Sequence, residues 1–140
     1  MQLSVIICSY NRASYIGEAL SALYNQTTAL DLFEVIIVDN NSTDETPLVY
    51  QKWRAENPLG NFTYTTEPQQ GASYARNTGA KISKGKWLCF IDDDAIAQKD
   101  YVEKVIKHSF DQPFIVGFGG RIIPRYVPAE PNWMSYYVSS

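Results

Sequence analysis

The sequence predicts an α/β fold in which a doubly wound, mostly parallel sheet is flanked by helices. Three observations predict it. Short, nearly unbroken apolar runs alternate with segments whose apolar residues recur at helical spacing, the rhythm of βαβ units. The runs are too continuous for strands with one wet face, so they belong to a sheet covered on both sides. Polar clusters follow directly where the runs stop, and open α/β sheets bind ligands beyond the carboxyl ends of their strands.

Leu3-Ser4-Val5-Ile6-Ile7-Cys8 is the first such run. Ile16, Ala19, Leu20 and Leu23 then stand at i, i+3, i+4 and i+7, the apolar stripe of a helix. Phe33-Glu34-Val35-Ile36-Ile37-Val38 is the second strand and ends in the turn formers Asp39-Asn40-Asn41-Ser42. Ser42-Thr43-Asp44-Glu45 fits a capping box, so a helix is expected from there toward Glu56, with Pro47 tolerated in its first turn. Asn57-Pro58-Leu59-Gly60 stops that helix, and Phe62-Thr63-Tyr64-Thr65 alternates as a third strand. Gln69-Gln70-Gly71 leads into Ala72, Ala75, Gly79 and Ile82, a helix face of mostly small residues that can lie close on a sheet. Trp87-Leu88-Cys89-Phe90-Ile91 is the fourth strand and runs straight into Asp92-Asp93-Asp94. Asp100 can cap a helix carrying Val102, Val105 and Ile106, and Phe114–Phe118 predicts a further strand continuing near Arg121-Ile122-Ile123.

The chain has 140 residues, 45% hydrophobic and 19% charged, enough for one domain over residues 1–140 with a real core. Its net charge is −3, with 12 basic and 15 acidic residues spread through the chain, so no basic face points to a nucleic-acid partner. No apolar run approaches the roughly 20 residues of a membrane span. The opening run is too short for a signal peptide, so the expected location is the cytoplasm or its membrane face. Cys8 and Cys89 each lie inside an apolar run, as buried thiols rather than a disulfide framework.

Three consecutive carboxylates repel one another, and one way to relieve that is a divalent cation. Hard Mg2+ or Mn2+ is held by one or two carboxylates together with substrate phosphates. In an extended chain residues i and i+2 point the same way, so Asp92 and Asp94 can share a face while Asp93 points elsewhere. The plainer reading is a solvated acidic loop, but placement at the sheet's carboxyl edge favours a site. Asp39 is either a turn former or an acceptor for a nucleobase or ribose, and Arg76 is either a surface arginine or a phosphate contact. His108 stands near a helix end, where its charge suits the helix dipole. Gly117-Phe118-Gly119-Gly120 lacks the spacing of a dinucleotide fingerprint.

Four segments taken together resemble the family 2 glycosyltransferases, which have the GT-A nucleotide-diphospho-sugar fold. They are residues 4–12 (SVIICSYNR), 34–44 (EVIIVDNNSTD), 71–79 (GASYARNTG) and 90–94 (FIDDD), in order and at compatible spacing. The resemblance implies an inverting enzyme that moves a sugar from a nucleotide-diphospho-sugar, a UDP-sugar first, to the hydroxyl of an acceptor glycan or lipid-linked sugar. It implies that Ser9 and Tyr10 lie against the base, that Asp39 reads the base edge, and that Asn41, Arg12, Gln70, Gly71 and Arg76 border the donor. Asp92-Asp93-Asp94 looks like the family's Asp-x-Asp motif, with Asp93 near the ribose and Asp94, with Asp92, holding Mg2+ or Mn2+.

In that family a separate carboxylate deprotonates the acceptor. The acidic residues left for that task are Asp100, Glu103, Asp111 and Glu130, and none sits in a matching motif, so the base is expected beyond Ser140. The chain thus reads as the donor-binding part of a longer enzyme. Trp133, Met134, Tyr136 and Tyr137 are apolar for a free end and suggest packing against further chain or a second copy. The alternative is a catalytically idle nucleotide-binding module acting through a partner chain. A phosphoacceptor receiver domain needs an acidic pair where Ser9-Tyr10-Asn11 stand, and a nucleotidyltransferase needs a Gly-rich loop where Arg12-Ala13-Ser14-Tyr15 stand.

Overall fold

A computed structural model describes residues 1–111, 114, 116–123 and 125. The elements run β1 (Leu3–Ser9), α1 (Ile16–Tyr24), β2 (Phe33–Asp39), α2 (Thr46–Glu56), β3 (Asn61–Thr66), α3 (Ala72–Ile82), β4 (Trp87–Asp92) and α4 (Tyr101–Asp111). The four strands form one parallel sheet in the order β3-β2-β1-β4. The α/β class and the first four strands of the sequence reading therefore hold.

The two central strands explain the unbroken apolar runs. Every residue of β2 is buried, and in β1 only Cys8 is partly exposed. On one face Leu3, Val5, Ile7, Val35 and Ile37 pack with Ile16, Leu20 and Leu23 of α1, Tyr50 and Trp53 of α2, and Val102 of α4. On the other face Ile6, Ile36 and Val38 pack with Ala75 of α3. A Cβ added at Gly79 would stand 2.5 Å from Ile6 Cγ2, so only glycine lets α3 lie this close. Cys89 belongs to the first face and Cys8 to the second, which keeps the two thiols apart.

Two expectations need correction. Helix α2 begins at Thr46, not at Ser42, and no side chain caps it in the capping-box manner. The reason is competition: Ser42 Oγ accepts the Asn11 N–H (2.9 Å), while Asp44 Oδ1 accepts the Thr46 N–H (2.9 Å). Asp44 thereby takes the role expected of Ser42. The second concerns the fifth strand. Phe114 and Val116–Phe118 are turn, bend or irregular, as are Arg121–Ile123, and Ile115 lies outside the described residues. Phe114 and Val116 are almost wholly exposed, and no ladder partner from the described residues reaches them. Phe118 instead lies against the rings of Trp87 and His108 (centroids 6.3 and 4.9 Å). Glu130 and the apolar group Trp133, Met134, Tyr136 and Tyr137 fall outside the described residues.

Candidate functional site

The topology chooses the place. From β1 the chain steps outward through β2 to β3, with α1 and α2 on one face. It then crosses back over the other face through α3 to β4, on the far side of β1. The order reverses between β1 and β4, and ligands of open parallel sheets lie at such a switch point. Cys8 is the register partner of Asp92, so the end of β1 and the acidic triplet meet there.

Asp92 closes β4, and the chain then turns, with the Ala95 N–H bonded to the Asp92 carbonyl at 3.1 Å. The extended geometry expected for the triplet therefore ends at its first member. The exposure still alternates: Asp92 and Asp94 are exposed, whereas Asp93 is buried. Arg12 Nε lies 3.4 Å from Asp93 Oδ1. Burial pushes the Asp93 carboxyl up; the Ser9 hydroxyl and Arg12 act against it, and the Asp94 charge adds to it. Ser9 Oγ is itself buried beside Asp93 but makes no hydrogen bond of ordinary geometry.

The end of β2 carries a second polar centre. Asp39 is 2% exposed; its Oδ1 accepts the Ser42 N–H (2.9 Å) and its Oδ2 accepts the Tyr64 hydroxyl (2.6 Å). Its neighbour Asn40 ties down the β3–α3 loop. Asn40 Nδ2 donates to the carbonyls of Glu67 and Gln69 (3.0 and 2.7 Å), and Asn40 Oδ1 accepts the Gly71 N–H (2.7 Å). Gln70 Nε2 returns a bond to the Asn40 carbonyl (3.1 Å). Gly71 has φ 137°, a conformation that favours glycine, and it opens α3.

The loops after β1 and β2 are knotted together. Asn11 Oδ1 accepts the Thr43 and Asp44 N–H groups (2.8 and 3.3 Å), Thr46 Oγ1 accepts the Arg12 N–H (2.9 Å), and Asp44 Oδ2 accepts the Ala13 N–H (3.0 Å). Asn11 and Asn41 both adopt left-handed φ (54° and 66°), which asparagine tolerates better than most residues.

Between α3 and the ends of β1 and β4 runs a groove. One part is lined by Cys8, Ala72, Arg76, Phe90 and Asp92. The adjoining part is lined by Cys8, Ser9, Tyr10, Asn40, Gln70, Gly71 and Ala72. Of the residues singled out from the sequence, Ser9, Tyr10, Gln70, Gly71, Arg76 and Asp92 thus line one continuous groove. Arg12 and Asp93 pair with each other, Asp39 is buried at the end of β2, and Asn41 and Asp94 stand exposed. The Cys8 thiol is pushed up by burial, opposed by Arg76 and reinforced by Asp93 and Asp92.

Asp92 and Asp94 engage no ion pair or side-chain hydrogen bond among the described residues. No three His, Cys, Asp or Glu side chains among those residues gather into a cage for a metal. Two free carboxylates suit a hard cation that completes its shell with water and phosphate oxygens. Asp100 is held by Lys104 (2.7 Å), and Glu103 accepts the Thr27 hydroxyl (3.0 Å). The sequence reading missed Asn11, Asn40, Asp44 and Tyr64. Asparagines and an aspartate at strand ends were the available signal, whereas nothing in an alternating Phe-Thr-Tyr-Thr run marks its tyrosine as a partner of Asp39.

A family model described as Glycosyl transferase family 2 matches residues 4–137. The chain belongs to this family. The match runs beyond the motifs at 4–94 that carry the resemblance. The chain is 29% identical over 140 residues to a glucosyl-dolichyl phosphate glucuronosyltransferase of Haloferax volcanii, covering 95% of this chain and 42% of that protein. It is 35% identical over 131 residues to a validoxylamine A glucosyltransferase of Streptomyces hygroscopicus subsp. jinggangensis, covering 93% of this chain and 30% of that protein. The chain therefore spans less than half the length of these relatives. Among solved structures, S. aureus TarS in complex with UDP superposes with a TM-score of 0.73 at 28% identity, over 89% of this chain and 38% of that one. The mannosyltransferase PcManGT from Pyrobaculum calidifontis, in complex with GDP-Man and Mn2+, gives 0.74 at 31% identity, over 77% of this chain and 32% of that one. The four-stranded parallel sheet with its helices is the GT-A arrangement of these neighbours. No helix among the described residues is long and apolar enough to cross a membrane.

Proposed function

We propose that this chain forms the nucleotide-diphospho-sugar site of an inverting, metal-dependent glycosyltransferase acting in the cytoplasm. The observation that carries the reading is the groove at the β1/β4 switch point, lined by Arg76 and Asp92, with Asp94 exposed two residues on and neither carboxylate engaged by an ion pair or side-chain hydrogen bond among the described residues. The nucleotides and the Mn2+ of the TarS and PcManGT structures support it.

In this reading the base lies against Ser9 and Tyr10, and Asp39 accepts a hydrogen bond from its edge. The Gln70-Gly71 turn, Asn41, Arg12 and Arg76 border the donor, with the Arg76 guanidinium as a diphosphate partner. Asp93 takes the ribose hydroxyls, with Arg12 keeping its charge tolerable in a buried place. Asp92 and Asp94 would hold Mg2+ or Mn2+, which when bound neutralises charge on the departing nucleoside diphosphate. The base that deprotonates the acceptor hydroxyl belongs to a part of the enzyme beyond Ser140, and so does the choice of acceptor, a glycan or a lipid-linked sugar. A uridine donor is the first to try.

Thermal melting with UDP, GDP and dTDP, each with and without Mn2+, tests the reading. A ligand at about 100 times its dissociation constant stabilises the fold by about 2.7 kcal/mol. One nucleotide is expected to raise the melting temperature only with metal, and Asp94→Ala is expected to abolish that rise while leaving the ligand-free melt unchanged. A rise that survives Asp94→Ala, or needs no metal, would sink the assignment of the triplet.

A further inference from the structure

Tyr64 stands on the edge strand β3, outside the groove, yet its hydroxyl makes the shortest contact to the Asp39 carboxylate, 2.6 Å to Oδ2. The Ser42 N–H holds the other oxygen at 2.9 Å. The ring of Tyr64 is fixed in turn, stacked on Tyr50 with centroids 4.8 Å apart, and the Tyr50 hydroxyl is anchored on the Phe62 carbonyl at 3.1 Å. A carboxylate held by two donors keeps its remaining lone pairs as acceptors only. Asp39 is 2% exposed, so each donor that reaches it weighs on its orientation.

We propose that Tyr64 is a positioning residue that fixes Asp39 as an acceptor and thereby restricts the site to bases presenting a ring N–H beside a carbonyl, uracil or guanine, against cytosine and adenine. The inference rests on the reading that Asp39 meets the base. Cytosine and adenine carry an unprotonated ring nitrogen where uracil and guanine carry N–H, so their lone pair would face the carboxylate's. Both nucleotides in the solved neighbours, UDP and GDP-Man, belong to the N–H class. Burial, with the Asp39 hydrogen bond and charge adding to it, pushes the Tyr64 hydroxyl well above its ordinary range, so it stays a donor at any working pH.

The experiment measures dissociation constants by calorimetry for UDP against CDP and for GDP against ADP, with Mn2+ present. The chain is compared as wild type, Tyr64→Phe, Asp39→Asn, the double variant, and Tyr50→Phe as a control that removes a hydroxyl from the same aromatic stack. The wild type is expected to favour one N–H nucleotide over its counterpart, and Tyr64→Phe to cut that ratio by about tenfold, the scale of one hydrogen bond to a charged group. Tyr50→Phe should leave the ratio alone, and Tyr64→Phe should change nothing further once Asp39→Asn is present. If Asp39→Asn alters the ratio and Tyr64→Phe does not, the role of Tyr64 is overturned and the base reading stands. A cut of equal size in the Asp39→Asn background also overturns it, because the tyrosine would then act otherwise than through Asp39. If Asp39→Asn leaves the ratio unmoved, or no nucleotide binds, the base reading falls and takes this inference with it.

Discussion

On one face of the sheet Leu3, Val5, Ile7, Val35 and Ile37 meet large side chains from three helices, with Tyr24, Tyr50, Trp53 and Phe62 in edge-on or tilted contact beside them. On the other face Ile6, Ile36 and Val38 meet small groups, Ala75, Ala80, Cys8 and the bare backbone at Gly79, and the groove opens beside them. The first face is filled to bury area; the second is thinned so that α3 can approach and leave a groove at its first turn. The bulk of the core and the groove thus lie on opposite sides of the same strands. The largest expected effect tests that division. Leu20, fully buried on the filled face, should lose about 2–5 kcal/mol on Leu20→Ala, seen as a lower denaturation midpoint. Nucleotide affinity, measured well below the melting temperature, should barely change. A large loss of affinity in a still-folded Leu20→Ala protein would break the division.

The division also explains what the sequence disclosed. The filled face announces itself in continuous runs such as Val35-Ile36-Ile37-Val38, because both sides of a central parallel strand must be apolar. The carboxyl-edge location of the site followed from topology class alone, and Asp92-Asp93-Asp94 and Arg76 were visible as charges in places where charges are unusual. What was illegible is contact across loops. Ser42 reads as a helix cap because local pattern cannot show that Asn11, 31 residues earlier, claims its hydroxyl. Asp39 reads as a binding carboxylate, but its dependence on Tyr64, 25 residues later, exists only once β2 and β3 pair. The segment at Phe114–Phe118 has strand composition and finds no ladder partner among the described residues, since pairing is not a property of one segment.

A smaller effect should come from the thin face. Gly79→Ala places a methyl 2.5 Å from Ile6 Cγ2 and 3.2 Å from Val38 Cγ2, so α3 must move off the sheet. Overpacking of this kind costs about 1–3 kcal/mol, partly offset by alanine's better helix propensity. Here the two losses should go together, because Ala72 and Arg76 of the same helix line the groove. Parallel denaturation and nucleotide titrations check it. If Gly79→Ala lowers stability but leaves affinity intact, the groove does not depend on the seating of α3, and the comparison loses its functional half.

The smallest effect concerns one polar link between the filled face and the loops of the site. Helices α1 and α2 begin at the knotted loops, where Asp44 accepts the N–H groups of Ala13 and Thr46 and the Thr46 hydroxyl. Burial pushes the Asp44 carboxyl up, but the bonds from Thr46 and Ala13 outweigh it and hold it below its ordinary value of 3.8. A depressed carboxyl adds stability above its unfolded value and loses it as the pH falls through the folded one. Asp44→Ala should therefore cost about 1 kcal/mol near neutrality, the usual scale of a lost cap, and less if water screens this exposed group. The gap between wild type and variant should shrink as the pH drops below 3.8, which denaturant melts at pH 7, 4 and 3 would follow. A gap that stays constant across that range would mean the knot is held by shape and by Asn11, with the charge on Asp44 contributing nothing.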